Sequence, residues 1–185
     1  MADLHALVAD LVAEGDELDR TVASLPECDW GLATPAAGWS IAYQIGHLAW
    51  TDDVAMLAAS DPARFQLEIE RALASYDGFV DRAAAERAAQ APAQLLAGWR
   101  TGRTALATAL AAVPAGVKLP WFGPPMSAAS MATARLMETW AHGQDVCDAL
   151  GVRRAPTARL RHVAHIGART RDFAYLLHDR RVPAE

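Results

Sequence analysis

Apolar residues return at intervals of three and four along most of this chain, without the alternating runs that would build a sheet. At 3.6 residues per turn, that spacing gathers them on one face of a helix. Leu4, Val8, Leu11, Leu18, Val22 and Leu25 make the first such stripe, with acidic residues opposite. Asp3 stands where it can cap that helix, and Pro26 ends it. Ser40 caps a second, Ile41 to about Ser60, with Ile41, Ile45, Leu48 and Ala55 on its buried side. Asp61-Pro62 breaks the chain and restarts it. The helical stretch 63–90 is interrupted near Tyr76-Asp77-Gly78, so a broken helix or two short ones is expected there. Pro92 opens the next helix, to about Ala112, with Leu95, Leu96, Trp99, Leu106 and Leu110 inward. Ser127 caps another, which Gly151 stops. Thr157 is expected to cap a last, basic helix from Ala158 to about His178. That helix keeps one solvated face, which a second subunit could cover to make a homodimer, and Pro183 closes it. The pattern predicts an all-α, bundle-like domain spanning residues 1–185.

At 185 residues, with 52% apolar and 21% charged, the chain can bury one proper core. Its net charge is −5, and no Lys/Arg cluster is dense enough for a nucleic-acid footprint. The longest apolar runs, such as Ala105–Val113, fall well short of a membrane span. The N-terminus lacks the basic stretch and apolar run of a secretion signal. Two cysteines, Cys28 and Cys147, make no disulfide framework, and each is expected to be a small buried apolar residue. These features predict a cytoplasmic protein with neither nucleic acid nor membrane among its partners. No nucleotide-binding loop, serine nucleophile elbow or Cys-x-x-Cys cluster is present in the sequence.

The chemistry concentrates in Met131 to Leu150, MATARLMETWAHGQDVCDAL. Glu138 and His142 stand four apart, one helical turn, so a carboxylate and an imidazole share a face and can aim lone pairs at one point. The same spacing also makes an ordinary surface pair. Asp145, three residues on, is placed to orient a ligand or to remain a surface carboxylate. Arg135, one turn before Glu138, can hold an anionic group or pair with Glu138 and position it. His47, beside Leu48 with Gln44 and Thr51 a turn away on either side, reads alone as a core or boundary histidine. His162 and His165 have a metal-compatible spacing, but the helix offers no carboxylate before Asp172. Trp30 and Trp39 lie on a Gly/Pro-rich loop that should fold back onto the bundle, where Trp39 packs or walls a pocket. Trp121 and Phe122, in the proline-rich loop 113–126, form either the lip of a site or a cover over the core.

Two stretches carry a resemblance. TPAAGWSIAYQIGHLAWTDDVA (34–55) resembles the Pro-Gly-Trp-then-His-Leu segment of the DinB-like superfamily, in the branch of the mycothiol-dependent maleylpyruvate isomerases. MATARLMETWAHGQDVCDALG resembles that branch's Glu-x-x-x-His-x-x-Asp helix, and the likeness leans to an actinobacterial subgroup described as metal-binding. The resemblance implies a DinB/YfiT-like four-helix bundle with one or two additional helices. The core would span about 1–151, with an extra helix and tail in 152–185. It also implies a divalent metal at one end of the core, held by His47, Glu138 and His142. Two imidazoles and a carboxylate leave a position open, as in catalytic zinc sites, with zinc the first expectation and nickel or other ions compatible.

The activity so implied is a metal-dependent S-transferase or isomerase, with mycothiol as co-substrate and a small electrophile as substrate. Asp145 would then orient His142 or receive the thiol proton, Arg135 would hold an anion, and Trp39 and Trp121 would wall the pocket. Isomerases of the branch often carry a further C-terminal domain, so these 185 residues are expected to be either the part that precedes one or a single-domain member, and no arginine here aligns with their catalytic arginine. Two alternatives stand beside this activity. One is a non-catalytic protein that sequesters a metal or small molecule; the other is a bundle whose His/Glu cluster is only a polar core network.

Overall fold

The computed structural model describes residues 3–74 and 78–183. Its helices are α1 (Leu4–Val22), α2 (Ile41–Ser60), α3 (Pro62–Ala74), α4 (Phe79–Ala88), α5 (Pro92–Ala111), α6 (Ala128–Ala149) and α7 (Leu160–Leu177). Local chemistry sets most of their ends. Asp3 accepts a hydrogen bond from the His5 amide at 3.0 Å, Ser40 from Tyr43 at 3.2 Å, and Ser127 from Ser130 at 3.1 Å. Each satisfies an amide that the first turn leaves without a helical acceptor. Gly151 takes φ +66, which lets the Val152 amide reach back to the Cys147 carbonyl at 2.8 Å and close α6.

Helices α1, α2, α5 and α6 form the four-helix bundle. α3 and α4 lie outside α2, and α7 lies against α6. The close approach of α4 depends on Gly46, where an added Cβ would stand 2.7 Å from the Ala84 carbonyl oxygen. The interior divides into two apolar clusters. Leu7, Leu11, Val54, Phe65, Leu110 and Met131 belong to one, and Leu18, Ile41, Ile45, Leu95, Trp99 and Val146 to the other. Between them, along α2 and α6, lies a layer of buried polar side chains, among them Gln44, His47, Asp52 and Arg135.

Several expectations are corrected. The first helix ends at Val22 rather than Leu25, and the acidic side of α1 is not all solvated, because Glu14 is 1% exposed. Glu14 and Glu17 are held by Arg154 and Arg159, which ties the segment after α6 to α1. Partners so distant in sequence turn an acidic surface position into a buried one. The last helix begins at Leu160; Thr157 contributes its carbonyl, not its hydroxyl, to the entering turn. A short antiparallel pair, β1 (Lys118–Leu119) with β2 (Met126–Ser127), folds the proline-rich loop where no strand was expected. Cys28 is exposed, on a short 3₁₀ turn from Glu27 to Gly31, whereas Cys147 is buried. The segment 63–90 does form two short helices, with Gly78 entering α4 at φ +71. Tyr76 and Asp77 lie outside the described residues.

Candidate metal centre

α2 supplies His47, and α6 supplies Glu138 and His142 from successive turns. His47 Nε2 lies 3.0 Å from Glu138 Oε2, and His142 Nε2 lies 3.2 Å from the same oxygen. The three candidate ligand atoms lie within 4.8 Å of one another. The site includes buried His47 of the polar layer, while the Glu138 and His142 side chains are partly exposed.

Trp39 covers the pair of imidazoles. Its ring stacks on His142 at 5.6 Å with an interplanar angle of 7°, and stands 5.3 Å from His47. Both readings of its loop therefore meet, since it folds back and its aromatic ring walls the site. A turn through Gly38, at φ +81, and two bonds from Thr34 (amide and hydroxyl) to the Trp39 carbonyl hold the loop there. Trp121 is more distant. It stacks on Phe65 at 5.8 Å and meets Phe122 edge-on, while Phe122 in turn meets Trp50, whose ring is 6.2 Å from His47. It belongs to an aromatic cluster over the core and does not wall the site. Beyond Trp50 a cleft of about 710 Å³ opens between α2, α3 and α4, lined by none of the three candidate ligands.

The outer contacts were not anticipated. His142 Nδ1 donates to the carbonyl oxygen of Gln44, while the Gln44 amide nitrogen donates to Asp145 at 3.0 Å and to the Thr34 hydroxyl oxygen at 2.9 Å. Asp145 therefore reaches His142 only through Gln44. Arg135 is buried and donates from Nε to Asp52 at 3.0 Å, with Nη1 3.9 Å from Glu138. The other Asp52 oxygen accepts from Trp99 Nε1 at 3.2 Å. Arg135 is thus a support behind Glu138. Gln44 had been visible as a neighbour of His47, but nothing in the sequence marked Asp52.

These contacts test whether the residues suit a metal. With the Gln44 oxygen facing Nδ1, that nitrogen carries a hydrogen, and a neutral His142 then presents a bare lone pair at Nε2. A carboxylate oxygen 3.2 Å away presents lone pairs as well. Between two such atoms a proton or a metal ion can be shared. A tetrahedral ion with bonds of about 2.0–2.1 Å holds its donor atoms about 3.3 Å apart. The His47–Glu138 and His142–Glu138 separations, 3.0 and 3.2 Å, are near that spacing. The residues fit a divalent ion.

Electrostatics agree. Burial works against charge on Glu138, but hydrogen bonds from His142 and His47 and the charge of Arg135 outweigh it, holding the carboxyl well below its ordinary range. Burial pushes the His47 imidazole below its ordinary value, against the pull of Glu138, which keeps it in the neutral form a metal requires. Among the described residues, His47 Nδ1 and Arg135 Nη2 are buried with no hydrogen-bond partner. His162, by contrast, finds its carboxylate on α1, with Nε2 2.9 Å from Asp10, which Arg161 also pairs. That is an ion pair between helices, and no third ligand joins it among the described residues.

Residues 11–147 match the family described as the mycothiol maleylpyruvate isomerase N-terminal domain. Uncharacterized proteins from two strains of Mycobacterium tuberculosis are 60% identical over all 185 residues, which cover 72% of their length. A crystal structure of the mycothiol-dependent maleylpyruvate isomerase aligns with 78% of this chain at a TM-score of 0.64 and 13% identity. The chain spans 60% of the length of that structure. A histidine-to-alanine mutant of the isomerase aligns with 88% of this chain and 68% of its own, at a TM-score of 0.67 and again 13% identity. At such identity the likeness establishes the fold alone.

Proposed function

The chain belongs to the mycothiol maleylpyruvate isomerase N-terminal domain family, and on that premise we propose a divalent-metal-dependent S-transferase or isomerase. Its co-substrate would be a low-molecular-weight thiol of the mycothiol type, and its substrate a small electrophile. The observation that carries this reading is the convergence of His47 Nε2, His142 Nε2 and Glu138 Oε2 within 4.8 Å. These three would hold the ion, with zinc the first choice for two imidazoles and a carboxylate, and nickel or others compatible. When bound, such an ion supplies positive charge that lowers the pKa of a thiol or water in its open position.

The rest of the work belongs to the chain's own side chains. Glu138 stays ionised and His47 neutral for the reasons given above. Arg135, held by Asp52, keeps its charge behind Glu138, so we assign it to positioning that carboxylate rather than to binding a substrate anion. Asp145 stands behind Gln44, so we assign it to orientation rather than to receiving the thiol proton. Trp39 keeps water from the faces of both imidazoles. The reducing cytoplasm, where small thiols are kept reduced, is the compartment this chemistry needs. No helix among the described residues is long and apolar enough to cross a membrane.

The test is thiol consumption. Zinc-loaded protein is incubated with mycothiol and a panel of small electrophiles, beside a His142→Ala variant. Electrophile-dependent loss of free thiol, absent in the variant, supports the proposal. Equal background rates for both proteins across the panel contradict it and favour a binding role.

A further inference from the structure

We propose that Gln44 is a positioning residue: its buried amide fixes the tautomer of His142 and thereby aims the Nε2 lone pair at the cation, while Asp145 and Thr34 lock the amide in place. The purpose of this relay rests on the metal reading, but the hydrogen bonds that carry it exist independently of any ion.

Gln44 is fully buried on α2, one turn before His47, and it joins residues far apart in the chain. Its amide could in principle present either end to His142. The surroundings permit one orientation. An ionised Asp145 accepts hydrogen bonds and donates none. The Thr34 hydroxyl spends its own hydrogen on the Trp39 carbonyl, so it too offers Gln44 only lone pairs. The amide nitrogen is therefore held by two acceptors, and the carbonyl oxygen is left to receive the Nδ1 hydrogen of His142. Turning the amide over would set its oxygen against a carboxylate and its hydrogens against the imidazole. Metal-binding histidines characteristically have the second ring nitrogen tied in this way, which sets the ring orientation as well as the tautomer. His47 has no such tie, since its Nδ1 lacks a partner and its ring is held by packing against Trp39 and Trp50. His142 is thus the oriented ligand of the pair.

No other side chain at position 44 reproduces this. A leucine would neither accept nor donate. A glutamate could accept from His142, but it would face Asp145 as a second carboxylate. That conflict supplies the decisive variant, Gln44→Glu/Asp145→Asn, in which the new carboxylate accepts from both His142 and the new amide at 145.

The experiment compares wild type, Gln44→Leu, Gln44→Glu and the double variant by two readouts. The first is the ¹⁵N signal of His142 Nδ1 in metal-free protein, and the second is zinc affinity by competition with a chelator. Wild type should show a protonated Nδ1. Gln44→Leu should lose about 10–100-fold in zinc affinity, the usual effect of removing such a partner, and Gln44→Glu should fall below wild type through its conflict with Asp145. The double variant should recover most of that loss, and it carries the affinity test even where Gln44→Leu fails to fold. A bare Nδ1 in wild type, single variants of wild-type affinity, or a double variant no better than Gln44→Glu would each overturn the relay. A wild type that takes up no zinc sinks the metal reading alone, and the Nδ1 signal then decides the relay.

Discussion

Asp52→Asn is the substitution that most directly tests how the bundle supports Glu138. Asp52 and Arg135 are both buried, and the carboxylate holds the guanidinium 3.0 Å away through Nε while Glu138 waits 3.9 Å from Nη1. Burial raises the Asp52 pKa above its ordinary value even against Arg135 and Trp99, which marks the carboxylate as dependent on those partners to stay ionised. An asparagine keeps the bond from Trp99 but no longer neutralises Arg135. Breaking a buried pair from one side costs about 3–5 kcal/mol. Arg135 can recover part of this by closing on Glu138, a charged hydrogen bond worth about 1.5–3 kcal/mol, for a net loss near ~2 kcal/mol. Metal uptake must then break that new bond, so zinc affinity should fall about ten- to hundredfold at 1.4 kcal/mol per decade. Urea unfolding of the metal-free protein and chelator competition measure the two effects. Adding Arg135→Met should restore both, since an apolar side chain needs no counter-charge and offers Glu138 no competitor. Wild-type zinc affinity in Asp52→Asn would refute the reasoning.

Other consequences follow from single features. Because burial lowers the folded His47 pKa below its ordinary value, the unfolded chain binds a proton that the folded chain refuses. Metal-free stability should therefore fall as pH drops from neutral through about 6.5, and His47→Gln should flatten that slope in pH-dependent melts. Asp19 is held below its ordinary pKa chiefly by its hydrogen bond to Arg100, against the effect of burial. Its contribution should be complete above the carboxylate range and lost as pH falls towards its folded value. With Arg100 half in solvent, Asp19→Asn should cost about 1 kcal/mol at neutral pH and less in acid, read by denaturant titration at both. Gly46→Ala would drive a methyl into the Ala84 carbonyl on α4, and the overpacking should cost about 1–3 kcal/mol in urea unfolding.

The helices were legible because their signals are local. Asp3, Ser40 and Ser127 cap the helices they precede, Pro92 opens α5, and the inward residues of α5 are those its spacing predicts. Thr157 misled because a cap depends on the rotamer and backbone of its own turn, which composition does not reveal. Glu14 misled for a different reason, since its arginine partners follow 140 and 145 residues later and their arrival buries it. The same separation explains the site. Glu138 and His142 are one turn apart and visible in any helical reading, whereas His47 is 91 residues from Glu138 and looked like a core histidine until a family resemblance paired them. Asp145 stands three residues from His142 in sequence, but its hydrogen-bond partner Gln44 lies 101 residues away, so the sequence suggested only a direct contact with His142. Trp39 and Trp121 looked equivalent on their loops, and only the packed structure separates the ring on the histidines from the ring on Phe65.

The polar layer also explains how the cluster differs from an ordinary core network. A self-sufficient network pairs every donor with an acceptor. Here His47 Nδ1 and Arg135 Nη2 are buried without a partner among the described residues, and two imidazoles converge on one Glu138 oxygen, an arrangement that a shared cation would complete.

The most direct measurement is therefore the metal content of purified protein by elemental mass spectrometry, for wild type and His142→Ala, after zinc is offered at neutral pH and excess removed. The account predicts a single divalent ion per chain in wild type and none retained in the variant. Wild type that emerges free of metal, or a variant that retains as much as wild type, would contradict it.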